Sequence, residues 1–133
     1  MLDNGELVVD AVSHCFNHAE DNHLHPHAQR WDDETYELGE QLMPDEYVFP
    51  KEIFYRNHTP EELERLLFFE SQIDYSVYHS LPLDDYFKDG YVSREKGFEL
   101  RDRNPNRIGM IVDINPLEDD AVEQVEYYAK EKD

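Results

Sequence analysis

Five of the seven histidines lie between His14 and His27, and they raise the first question about what this chain could do. An imidazole can move a proton near neutral pH or give a lone pair to a metal, so closely spaced histidines are candidates for acid–base or metal chemistry. Two groupings stand out. In the first, polar residues trail three apolar runs: Asp10, Ser13, His14, Asn17 and His18 follow the run from Leu7, His79 and Ser80 follow the run from Ile73, and Asp113 and Asn115 follow the run from Arg107. The second is His23-Leu24-His25-Pro26-His27 with His18 nearby, where alternating imidazoles in an extended segment could hold Zn, Ni or Cu. Pro26 and the lack of a thiolate pair at zinc-finger spacing make a solvated histidine-rich loop the plainer reading of this second group. Cys15 beside His14 invites a nucleophile, but no oxyanion-hole motif, Gly-rich phosphate loop or G-x-S-x-G elbow accompanies it. A small buried residue at a strand end is the expectation there.

The elements that must position these groups alternate. Leu7-Val8-Val9-Asp10-Ala11-Val12 reads as a strand buried on both faces. Ser13 to Arg30 reads as a long loop, followed from Trp31 by an exposed helix in which Trp31, Leu38 and Leu42 recur at helical spacing among acids and which stops before Pro44. Thr59-Pro60-Glu61-Glu62 joins an N-cap, a proline at the first helical position and a capping-box glutamate, so a helix runs from there to about Glu70. Ile73 to Leu81 has the β-branched and aromatic content of a second strand, Lys88-Asp89-Gly90 marks a turn, and Ser93 caps a helix over Arg94 to Arg103. Gly97 weakens that helix by about 1 kcal/mol relative to Ala. Arg107 to Ile114 is a third strand, and Asn115-Pro116-Leu117-Glu118 opens a last helix with Ala121, Val122, Val125, Tyr128 and Ala129 as its apolar face. The aromatic residues Phe68, Phe69, Tyr75, Tyr78, Tyr127 and Tyr128 are expected in the core. This alternation predicts an α/β fold with a parallel sheet, in which chemistry gathers at the C-terminal ends of the strands.

Composition bounds the function classes. The chain has 133 residues, 39% hydrophobic and 13% aromatic, enough apolar material for a core. Its 32 acidic and 12 basic residues leave a net charge of −20, spread along the chain. That field repels nucleic-acid phosphates and anionic membranes, which argues against both as partners. A DNA-mimicking inhibitor would share the charge, but a surface adapted to concentrated salt explains it more simply. A single cysteine excludes an intrachain disulfide, and no apolar run approaches a membrane span or a secretory leader, so a cytoplasmic location is expected.

Val9-Asp10-Ala11-Val12-Ser13-His14 resembles the first-strand signature of the metal-dependent amidohydrolase-related family that includes aminocarboxymuconate-semialdehyde decarboxylase, in which an Asp precedes a His-x-His metal pair. The resemblance continues through Asp74 to Leu83, Phe87 to Gly90, Arg101 to Arg107 and Val112 to Leu117. It implies that the chain (1–133) is the N-terminal portion of a TIM-type β/α barrel, about three βα units of it, in a hydrolase or decarboxylase acting on small carboxylic or amide substrates. It further implies a divalent metal, Zn2+ first among them, with His14 as ligand and Asp10 as a weak ligand or partner, and with His79, Asp113 and Asn115 in the substrate pocket. The first histidine of the pair falls on Val12, which has no lone pair to give. The remaining ligands would come from later strands, so the segment by itself is expected to be inactive. The alternative is a non-catalytic acidic α/β module that self-associates through open sheet edges and uses His18, His23, His25 and His27 as a metal loop.

Overall fold

The computed structural model of the chain describes residues 5–131. Three strands, β1 (Val9–Ser13), β2 (Tyr75–His79) and β3 (Ile108–Ile111), form one sheet in the order β1-β2-β3. Both pairings are parallel, with Val9 opposite Tyr75 and Asp10 opposite Ser76, then Ser76 opposite Ile108 and His79 opposite Ile111. Between Asp10 and Ser13 the register slips, so β1 carries a bulge just before its end. Among the described residues five α-helices accompany the sheet: α1 (Pro26–Leu42), α2 (Lys51–Phe54), α3 (Pro60–Phe68), α4 (Arg94–Arg103) and α5 (Ala121–Glu131). Among the described residues no helix is long and apolar enough to cross a membrane.

Where local chemistry sets a boundary, sequence and structure agree. Thr59 Oγ accepts from the Glu62 N–H while the Glu62 carboxylate accepts from the Thr59 N–H, closing the capping box that starts α3. Ser93 Oγ accepts from the Lys96 N–H and starts α4. Helices α3 and α4 pack on each other along one face of the sheet. Arg103 bridges them by donating to Glu61 and Glu64, and Arg107 lays its guanidinium 3.8 Å from the centre of the Phe68 ring.

The core under these helices contains Tyr78, Leu100, Ile108 and Leu67. Tyr78 is fully buried and donates its hydroxyl proton to the Ser93 carbonyl, 2.8 Å away. Gly97 makes this packing possible: a Cβ there would lie 2.5 Å from Tyr78 Cδ1 and 2.5 Å from Met110 Cε. The glycine that weakens α4 as a helix lets it sit close on the sheet.

The opposite face of the sheet is open. Val9, Val12 and Ile111 stay about half exposed, so β1 is not a strand buried on both faces as its apolar run implied. Three further expectations are corrected. Helix α1 begins at Pro26, inside the segment read as a loop, with Pro at its first position and His25 as N-cap. It ends at Leu42, before Pro44, and Trp31, Leu38 and Leu42 face solvent as expected of an exposed helix, while its buried stripe is Ala28, Asp32 and Tyr36. Helix α5 starts at Ala121, later than Asn115-Pro116 suggested, and Val122 and Val125 are exposed although Tyr128 stacks on Phe98. Of the aromatic residues assigned to the core, Phe69 (77% exposed) and Tyr127 (49%) lie outside it.

Replacing Gly97 by Ala tests the close helix–sheet contact. Overpacking against the rigid Tyr78 ring costs about 1–3 kcal/mol, more than the gain in helix propensity of up to about 1 kcal/mol. Urea denaturation of G97A is therefore expected to give a lower midpoint; a raised midpoint would contradict the packing described.

Candidate functional site

The C-terminal ends of β1 and β2 hold two histidines side by side. His14 Nδ1 lies 3.0 Å from the His79 carbonyl oxygen, and His79 Nε2 lies 3.1 Å from the Ala11 carbonyl oxygen. A carbonyl only accepts, so His14 carries its proton on Nδ1 and His79 on Nε2. In the neutral rings the lone pairs are then on His14 Nε2 and His79 Nδ1, neither of which has a partner among the described residues. The ring centroids are 6.1 Å apart at an interplanar angle of 78°. Tying one ring nitrogen to a backbone carbonyl fixes the tautomer and aims the other, an arrangement usual for metal-ligating histidine.

Asp10 is engaged elsewhere. Its Oδ2 accepts from the Ser76 hydroxyl at 3.2 Å and its Oδ1 from the Val12 N–H at 3.2 Å. Ser76 is fully buried and also lies 2.9 Å from Ser13 Oγ, which donates to the Val77 carbonyl. This chain of hydroxyls satisfies the bulged end of β1 on the helix-covered face. Asp113 and Asn115 line a different cleft, of about 310 Å³, with Asp84, Asp85, Tyr86 and Glu118; His14 and His79 are not among its walls. The Asp113 N–H donates to Ser80 Oγ at 2.8 Å, and the Asp113 carbonyl accepts from Arg94, which also bonds Asp84.

The histidines of the second grouping take separate tasks. Asp32, fully buried, places one oxygen 2.8 Å from His18 Nδ1 and the other 2.8 Å from His23 Nε2. An ionised carboxylate only accepts, so both imidazoles donate to it, and the buried charge is held by two N–H groups. The His18 ring is sandwiched between Phe54, 4.1 Å away, and Phe16, 5.1 Å away. His25 Nδ1 accepts from the His27 N–H to cap α1, which leaves the proton of a neutral His25 on Nε2 and no lone pair for a metal. His27 stacks beside Tyr86. Among the described residues no three or more His, Cys, Asp or Glu side chains are grouped to hold a metal ion.

Around these rings the loops following β1 and β2 are knitted together. Asn22, almost fully buried, donates to the carbonyls of Asn17 and Gly90 and accepts from the Asp89 N–H. Val92 and Leu81 exchange backbone bonds, and Phe87, Tyr91 and Val92 carry the core up into this layer. Gly90 has φ +84°, which suits the turn read from Lys88-Asp89-Gly90.

Cys15 is buried, as its position after β1 suggested, and its thiol donates to the His58 carbonyl. Burial pushes the thiol up to about 11, with nearby Lys96 pulling the other way. Lys96 is itself held low by burial, its ammonium donating to Asn57 Oδ1 at 2.5 Å and the His58 carbonyl at 2.7 Å. Asp32, Ser76, Asn22 and Lys96 were not singled out by spacing. Each acquires its partners from residues distant in the chain, so only the tertiary fold reveals them. No family model, no curated protein and no solved structure matches this chain.

Two outcomes are expected from this arrangement. Changing Asp32 to Asn puts an amide NH2 against one of the two imidazole N–H groups. Breaking a buried charged network of this kind typically costs about 3–5 kcal/mol, and denaturant titration is expected to register a loss of that order; a wild-type midpoint would contradict the pairing. Cys15 is expected to resist a thiol reagent at pH 8 in the folded protein and to react fully in denaturant. Rapid labelling under native conditions would show the thiol to be accessible.

Proposed function

We propose that this chain is the N-terminal part of a metal-dependent hydrolase or carboxy-lyase of amidohydrolase type, built on a parallel β/α barrel and acting on small amide or carboxylic substrates. The observation that carries this reading is His14, held at the C-terminal end of the first strand with its Nδ1 proton on a backbone carbonyl and its Nε2 lone pair available. The winding supports it. Parallel strands in chain order, with α4 packed on β3 and α3 packed on α4, are consistent with the start of a barrel. The exposed Val9, Val12 and Ile111 would then face the interior that further strands close.

His14 fits a divalent ion such as Zn2+ by the chemistry of its free nitrogen, and an ion held there would need further donors. When bound, the ion would polarise a substrate carbonyl or carboxylate and activate water. The chain's own residues prepare the rim for this. His14 is oriented by the β2 backbone, Asp10 and Ser76 hold the bulge that presents it, and Asp113 and Asn115 offer polar groups to a substrate in the adjoining cleft. Arg94, bonded to Asp84 and to the Asp113 carbonyl, supplies positive charge beside the carboxylates there.

A second reading draws on the same open face. An acidic α/β module could associate through its uncovered sheet, and light scattering in concentrated salt would then give a dimer or larger species. For the enzymatic reading, a protein with this start extended by about 150 residues to the usual barrel size, loaded with Zn2+, Mn2+ or Co2+ and assayed against small amides and carboxylic acids, is expected to turn over at least one of them. His14→Ala is expected to lower kcat/KM by about 100-fold or more. Absence of turnover with every metal, or an undiminished H14A variant, would contradict it.

A further inference from the structure

The resemblance to a His-x-His strand leaves Val12 where an imidazole is expected, and the structure brings a different imidazole to the same rim. We propose that His79, from β2, supplies the second nitrogen donor, so that His14 and His79 form a two-imidazole half-site for a divalent ion of Zn2+, Co2+ or Ni2+ type. The inference rests on the metal-dependent reading above for its catalytic meaning, although the binding itself requires only these two rings.

Four observations lead there. Each ring donates one N–H to a carbonyl, His14 to the β2 residue and His79 to the β1 residue, so each strand's backbone orients the other strand's imidazole. Each keeps a lone pair with no partner among the described residues. With metal–nitrogen bonds of roughly 2.0–2.1 Å, two imidazoles on one tetrahedral ion have ring centres roughly 5 Å apart, so rings about 1 Å wider than this close slightly to share an ion. The observed separation is 6.1 Å, with the rings edge to face.

The neighbouring donors are engaged in other bonds. Asp10 accepts from Ser76 and Val12, the Cys15 thiol turns to the His58 carbonyl, His18 and His23 hold Asp32, and His25 caps α1. Val12 lies two residues before His14 and is 53% exposed, so the place it would give a ligand is open and empty of donors. Two neutral imidazoles favour borderline divalent metals over Mg2+ or Ca2+ and leave coordination positions for water or for a carboxylate or carbonyl of a substrate.

The test titrates the native protein with Zn2+ and follows the imidazole resonances by NMR, with calorimetry for affinity and Co2+ as an optical probe. His14 and His79 are expected to shift together while His23 and His27 stay in place. His79→Ala and His14→Ala are each expected to weaken binding about tenfold or more, and His27→Ala to leave it unchanged. A Val12→His change in the His79→Ala background is expected to restore affinity, because it returns an imidazole to the vacant position. Shifts at His14 without His79, or failure of Val12→His to rescue in a protein whose circular dichroism is unaltered, would overturn the proposal while leaving the hydrolase reading intact. Ligation by both rings without turnover of any substrate by the barrel-length protein would do the reverse.

Discussion

The crossed hydrogen bonds between the ends of β1 and β2 are the constraint on which the rest depends. His14 reaches the His79 carbonyl and His79 reaches the Ala11 carbonyl, joining residues 65 and 68 apart in sequence. A parallel pair cannot be closed by a tight turn; it needs a long connection, and here that connection holds α1, α2 and α3. Closing so long a loop is unfavourable until the strands register. The bulge between Asp10 and Ser13 lets β1 pair with Tyr75 and Ser76 below and still bring Ser13 opposite Tyr78 above. Ser13, Ser76 and Asp10 satisfy one another on the covered side, and the two histidines occupy the rim.

The long connection is itself held by a buried charge. Asp32 lies on the inner stripe of α1 and is completely removed from solvent, a position that is unfavourable for a carboxylate without donors. His18 and His23 supply those donors, and the aromatic rings of Phe16 and Phe54 enclose His18. The same residues that look like a metal cluster in the sequence thereby fasten a helix to the loop layer. The pair proposed above as a half-site, His14 and His79, lies outside this fastening. Division of labour among histidines follows from hydrogen-bond accounting: a ring nitrogen that donates to a carboxylate or accepts from a backbone N–H is unavailable, and one left bare beside a carbonyl-bound partner is poised.

Legibility followed the range of the interactions. The starts of α3 and α4 could be read because Thr59 with Glu62 and Ser93 with Lys96 act across three residues. The three apolar runs gave the strands, and their spacing by helices gave the parallel sheet. The start of α1 could not be read, since its cap is a histidine and its buried stripe contains an acid whose partners lie nine and fourteen residues away. The placement of the candidate residues was legible in part: His14 follows β1 and His79 ends β2 as read, while the Asp10 bond to Ser76 and the cleft lined by Asp113 and Asn115 could not be read. No local signal distinguishes those outcomes, because each is decided by what the opposite strand or loop presents.

The most direct measurement is the protonation pattern of the two rings, read from long-range proton–nitrogen NMR correlations on the uniformly labelled protein at a pH where both are neutral. His14 is expected to hold its proton on Nδ1 and His79 on Nε2, each as a single tautomer. Rapidly averaged tautomers on either ring, or a proton on His14 Nε2, would mean that the backbone of one strand does not orient the imidazole of the other.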